Sequence, residues 1–382
     1  MNAPPLALYI HIPWCVKKCP YCDFNSHTAP GGLPQQDYVN ALLADLDQDL
    51  RDHAVAARPI VSVFFGGGTP SLFAPEFIGA ILRGARERLH FAAEAEITLE
   101  TNPGTVEHGR FEDYRRAGVN RLSFGVQSLD DEKLKRLGRI HSAAEVRAAV
   151  RLARAAGFDN FNLDLMYALP GQNLAQALDD LEQALELQPA HVSHYQLTLE
   201  PNTAFASNPP PLPDDDLAWD MQEACATRLS DAGFGHYETS AYARPGRRSV
   251  HNMNYWQFGD CLGIGAGAHA KLTEADGSVH RRWKIRAPKA YLAHAGSPRG
   301  IGGDAVIDTG QLPFEFMLNA LRLEDGYVQT LFAERSGLDP ALIAAPLAHA
   351  QQRGWLECTD GLVRPTALGK RFLNDVIALF LP

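Results

Sequence analysis

Tyr9-Ile-His-Ile-Pro-Trp-Cys15-Val-Lys-Lys-Cys19-Pro-Tyr-Cys22 runs from a β-branched, aromatic segment into three cysteines spaced C-x₃-C-x₂-C. Three thiolates at that spacing can each take one iron of a [4Fe–4S] cluster, and no fourth cysteine stands near enough to complete the set, so one iron is left open. The plainer readings are a zinc site or three core thiols. Structural zinc asks for four protein ligands, commonly as two C-x₂-C pairs, and no second pair follows. The other cysteines, Cys225, Cys261 and Cys358, are scattered and read as inert core residues rather than a disulfide framework. A reducing compartment would keep the clustered three as thiolates.

Outward from that stretch, short runs rich in β-branched and aromatic residues alternate with helical patterns up to about residue 240, as the βα units of a parallel sheet do. Six strands are expected, at Ala7–Ile12, Ile60–Phe65, Glu96–Glu100, Arg121–Val126, Asn160–Met166 and Val192–Leu199. Val39, Leu42, Leu43, Leu46 and Leu50 recur at the spacing of one helix face. Pro209-Pro-Pro-Leu-Pro213 reads as a loop, with Asp214 to Asp216 capping and opening the next helix. Residues 241–305 show little periodicity and are assigned as a connecting region packed on the sheet. From 306 to 382 helical stretches precede a hairpin turned at Asp360-Gly361, which suggests a small winged-helix-like α+β domain.

The chain has 382 residues and a net charge of −10. Residues 311–382 carry six Lys/Arg against eight Asp/Glu. Phosphate neutralisation needs the opposite balance, so no nucleic-acid partner is expected. No stretch approaches the roughly 20 apolar residues of a membrane span, and the N-terminus lacks a signal-peptide pattern. The expectation is a cytoplasmic protein that is not integral to a membrane.

The cysteine motif resembles that of the radical SAM superfamily. The resemblance implies a partial (β/α)₆ barrel of α/β class, with S-adenosylmethionine (SAM) chelated at the open iron by its amino and carboxylate groups. Ligands of such barrels gather where the βα loops converge, at the C-terminal ends of the strands. There the resemblance implies SAM-binding roles for Gly67, Gly68 and Thr69 in Gly66-Gly-Gly-Thr-Pro70, and for Tyr9, Glu100, Gln127, Arg139 and Asp164. Tyr21 would lie near the adenine. The residue types suit those roles. Acids in apolar strands, such as Glu100 and Asp164, require polar partners, and a guanidinium fork matches a carboxylate.

Tyr9-Ile-His-Ile-Pro, Phe65-Gly-Gly-Gly-Thr-Pro-Ser, Gly125-Val-Gln-Ser, Leu137-Gly-Arg-Ile-His, Ala168-Leu-Pro-Gly-Gln and the Phe314–Leu323 segment narrow the resemblance to the oxygen-independent coproporphyrinogen III oxidase group, across nearly the whole chain. One branch of that group is the oxidase, which decarboxylates a porphyrinogen by hydrogen abstraction. Its sister branch is a radical SAM haem chaperone that passes haem to acceptor proteins. Three features favour the chaperone branch. Phe24 stands where oxidases carry a fourth cysteine, only eight residues precede Tyr9, and His251-Asn-Met-Asn-Tyr-Trp256 matches the HNxxYW motif of the haem-binding branch. An imidazole is the commonest protein donor to haem iron, and Tyr255 and Trp256 offer flat apolar faces. The expected cofactors are thus a [4Fe–4S] cluster, SAM and haem, with haem near His251 and Tyr255. Acceptors would be membrane-associated haem proteins such as respiratory enzymes, and the oxidase remains the alternative activity.

Overall fold

In a computed structural model, residues 3–28, 32–105 and 110–382 are described. The centre is six parallel strands in sequential order: β1 (Leu6–Ile12), β2 (Ile60–Gly67), β3 (Phe91–Thr101), β4 (Arg121–Gln127), β5 (Phe161–Tyr167) and β6 (His191–Gln196). β1 and β2 are near-continuous apolar runs, because helices cover one face and the barrel interior the other, whereas β3 and β6 mix polar side chains into the run. The helix Gln35–Asp52 buries Val39, Leu42 and Leu46 and half-buries Leu43 and Leu50. Helices Ala143–Ala155 and Leu174–Glu186 each start on a capping box, Ser142 with Glu145 and Asn173 with Gln176, which fixes where each βα loop ends. Asp214 caps the helix Asp215–Asp231.

Residues 241–305 do more than connect. Beyond β6 the sheet continues antiparallel through β8 (Ala241–Ala243) to β7 (Gly235–Glu238). At the other edge β9 (Asp260–Ile264) runs parallel to β1, followed by antiparallel β10 (His269–Thr273), β11 (Val279–Lys284) and β12 (Ile301–Val306), giving twelve strands in one sheet. Their hydropathy hides them because they bury charge. Lys271 pairs with Asp260, and Lys284 with Asp45 and Asp49, each contact between 2.6 and 2.9 Å. Arg282 joins the buried Asp49 at 3.0 Å and the more exposed Asp52 at 2.8 Å on the helix Gln35–Asp52. A period-two apolar signal cannot survive such substitutions.

The C-terminal part has its own core around Phe316, Phe332, Ile343 and Val363. Its three strands, β13 (Tyr327–Val328), β14 (Leu356–Thr359) and β15 (Leu362–Pro365), form a small sheet of order β13-β15-β14. Asp360 and Gly361 both adopt positive φ, 53° and 77°, as the hairpin turn requires. This is the winged-helix-like arrangement expected. Among the described residues no helix is long and apolar enough to cross a membrane.

Candidate functional site

The cysteines follow β1 on a loop pinned at its start and between Cys19 and Cys22. Trp14 packs edge-on against Tyr38, with ring centroids 4.7 Å apart, and the Phe205 amide donates to the Pro20 carbonyl at 3.0 Å. Cys15, Cys19 and Cys22 are free thiols that line one cavity of about 300 Å³ at the C-terminal end of the barrel. Gly67, Gly68 and Thr69 from the end of β2 line it too, as do Glu100, Gln127, Arg139 and Asp164. Tyr21 lines it as well, so eleven of the residues given a ligand-contacting role from sequence meet in one place.

Each is held by specific contacts. Gly67 has φ of 111°, and its amide donates to Glu100 Oε2 at 3.1 Å. A Cβ on Gly68 would stand 2.5 Å from the Trp14 carbonyl oxygen, so this glycine also lets the cluster loop close against β2. Thr69 Oγ1 lies 3.5 Å from Cys15 Sγ. Gln127, at a bulge in β4 with φ of 70°, accepts at 2.9 Å from the Tyr195 hydroxyl. Asp164 accepts from Asn162 at 2.7 Å and from Ser123 at 3.3 Å.

Arg139 Nη2 donates to the Gly125 carbonyl at 2.6 Å and Nη1 reaches Cys19 Sγ at 3.6 Å, while its buried Nε has no partner among the described residues. Burial pushes the Cys15 and Cys22 thiols above their ordinary range, so metal binding there must displace protons. Burial, reinforced by the charge of Asp164, pushes the Glu100 carboxyl up to about 8, and it is neutral at pH 7. Burial raises Asp164 as well.

The donor set fits an iron–sulfur cluster better than a single ion. Among the described residues no three His, Cys, Asp or Glu groups stand close enough to hold one metal ion. A cluster puts each thiolate on a separate iron and suits three donors spread around one cavity.

Tyr9 is the exception. It lines a second cavity, of about 740 Å³, that shares Phe24, Gly67 and Glu100 with the first. Its wall is rich in rings, with Phe64, His251, Tyr255, Trp256, His11 and His269, and is completed by Asn25, Asn252, Gly267 and Arg286. The short helix Val250–Trp256 starts on a Ser249 cap and packs over β1 and β2, which is why the HNxxYW segment faces the barrel. His251 stacks on Phe64 with centroids 5.0 Å apart, and its Nδ1 lies 3.0 Å from Ser62 Oγ. Among the described residues Nε2 has no hydrogen-bond partner. Burial holds this imidazole down at about 3, so it is neutral and free to donate a lone pair.

Tyr195 and Ser123 are among the wall residues that sequence reasoning does not single out. Tyr195 lies near the end of β6, where the strand-end rule points, and Ser123 faces inward from β4 with nothing in its apolar neighbours to mark it.

Residues 9–184 match the radical SAM superfamily and residues 308–372 the HemN C-terminal domain. The chain is 51% identical over 382 residues to the heme chaperone HemW of Escherichia coli K12, covering 100% of this chain and 99% of that one. To the heme chaperone HemW of Haemophilus influenzae it is 48% identical over 382 residues, covering 99% and 98%. Coproporphyrinogen III oxidase (HemN) from Escherichia coli, a radical SAM enzyme, matches the backbone with a TM-score of 0.82 at 22% identity, covering 100% of this chain and 91% of that one. That likeness is one of fold.

Proposed function

The chain belongs to the HemW family of radical SAM haem chaperones, and from that premise we propose that it binds haem in the aromatic cavity and passes it to acceptor haem proteins. In this reading Cys15, Cys19 and Cys22 hold a [4Fe–4S] cluster whose fourth iron takes SAM. One observation carries the proposal: a thiol-lined cavity and an aromatic cavity share Gly67 and Glu100 as a common wall.

When bound, the cluster and SAM supply a one-electron source and a charged ligand that fills the thiol cavity. The protein's own groups do the rest. Arg139 sets a cation beside Cys19 and offsets thiolate charge. Gly67 holds Glu100 in place, leaving its other oxygen for a ribose hydroxyl or an ammonium. Asp164, steadied by Asn162 and Ser123, offers a second acceptor. On the far side of the wall His251 presents a neutral imidazole to haem iron, while Phe64, Tyr255 and Trp256 exclude water from the macrocycle. Phe24, 58% exposed at the rim of both cavities, occupies the position where an oxidase would carry a further cysteine. A reducing cytoplasm suits the free thiols. The acceptors are proposed to be membrane-associated respiratory haem proteins.

The test is a pair of anaerobic assays on one reconstituted preparation. Haem-loaded protein mixed with an apo-haem protein should transfer haem, read as a Soret change in the acceptor. Incubation with coproporphyrinogen, SAM and a reductant should yield no protoporphyrinogen. Turnover in the second assay would replace the chaperone reading with the oxidase one.

A further inference from the structure

Resting on the haem reading above, we propose that His269 is a second iron ligand, so that haem in the aromatic cavity is held between His251 and His269, with Arg286 taking a propionate. The sheet register sets this up. Phe64 pairs with Tyr9 across β2 and β1, and Tyr9 pairs with Gly263 across β1 and β9. Cross-strand partners project to one face, so a side chain at Gly263 would share the face of Tyr9. There is none, and the chain at His269 crosses that space: a Cβ on Gly263 would meet the His269 carbonyl oxygen at 2.1 Å. His251 sits over Phe64, at the other end of the same row. The Phe64 and Gly263 columns flank Tyr9 and are two strand spacings apart, about 10 Å, a separation that two imidazoles lining one cavity, the buried His251 and the exposed His269, can span through one iron.

The other histidine of the cavity does not compete. His11 has both nitrogens engaged, by the Tyr9 hydroxyl at 3.1 Å and the Asn25 carbonyl at 2.9 Å. The ring of His269, by contrast, has no hydrogen-bond partner among the described residues and is steadied only by stacking on Trp283, 6.2 Å away at 21°. Arg286 is exposed at the cavity wall with no ion pair among the described residues, and a carboxylate is its natural complement. Asn25 anchors this arm to the cluster loop through bonds of 2.9 Å to the Ala266 and Arg286 carbonyls.

Ferric haem bound to the wild-type protein is expected to be six-coordinate and low-spin by absorption and electron paramagnetic resonance. His269→Ala should bind haem more weakly, by at least the roughly tenfold that even an outer-shell partner of a metal is worth. Its complex should be high-spin, and added imidazole should restore the low-spin spectrum. Arg286→Glu should weaken binding without changing spin state. A high-spin wild-type complex, or a low-spin His269→Ala complex without imidazole, overturns the assignment of His269. Absence of saturable haem binding by the wild type would instead remove the haem reading itself.

Discussion

The two cavities share a wall yet are assembled in opposite ways. The thiol cavity collects one residue or turn from the ends of successive strands, each a few positions after an apolar run, whereas the aromatic cavity joins β1, β2, the helix Val250–Trp256 and the β9–β10 turn. A parallel barrel gathers the first kind of site automatically, because every βα loop opens on one end. The second kind exists only once the sheet has been extended past β1.

The largest expected effect separates them outright. Cys19→Ser should lose nearly all cluster iron and sulfide after anaerobic reconstitution while still binding haem. Loss of both together would mean that the cavities are not independent.

Next is the shared wall. Between pH 4.5, the ordinary carboxyl value, and about 8, folded protein keeps the Glu100 proton that the unfolded chain releases. The contribution of this group is therefore fully present below about 4.5 and is lost as pH rises towards about 8, by roughly 1.4 kcal/mol per pH unit at the steepest. The decline should appear as the difference between wild type and Glu100→Gln in urea unfolding of ligand-free protein across that window, because Asp180, Glu238 and the buried histidines titrate in both. An unchanged slope in the variant would deny Glu100 its buried, neutral state.

Gly68→Ala is smaller. Its methyl group meets the Trp14 carbonyl, and overpacking of this kind costs about 1–3 kcal/mol, to be read from a denaturation midpoint. The smallest effect sharpens the comparison most. Tyr9→Phe removes the bond to His11 Nδ1, worth about 1 kcal/mol, and should change haem affinity a fewfold with iron content unaltered.

Tyr9 also marks where sequence reasoning thins. Family resemblance assigns it to SAM, and only the register of β1 against β2 and β9 turns its ring towards Phe64 and away from the thiols. The six central strands were legible because burial enriches them in β-branched and aromatic residues between helical patterns, and the strand-end residues followed from them. Strands β9 to β11 were not, because Asp260, Lys271, Arg282 and Lys284 are buried as ion pairs that look like surface. Tyr195 lay inside an expected strand, and nothing short of its hydrogen bond to Gln127 distinguishes it from packing.

The central claim, that haem and cluster occupy neighbouring but separate cavities, is tested most directly by titrating reconstituted His251→Ala with haemin and assaying iron and sulfide in the same sample. The account predicts a full cluster complement and a Soret titration that is weakened or lost. A titration that overlays the wild type would contradict it.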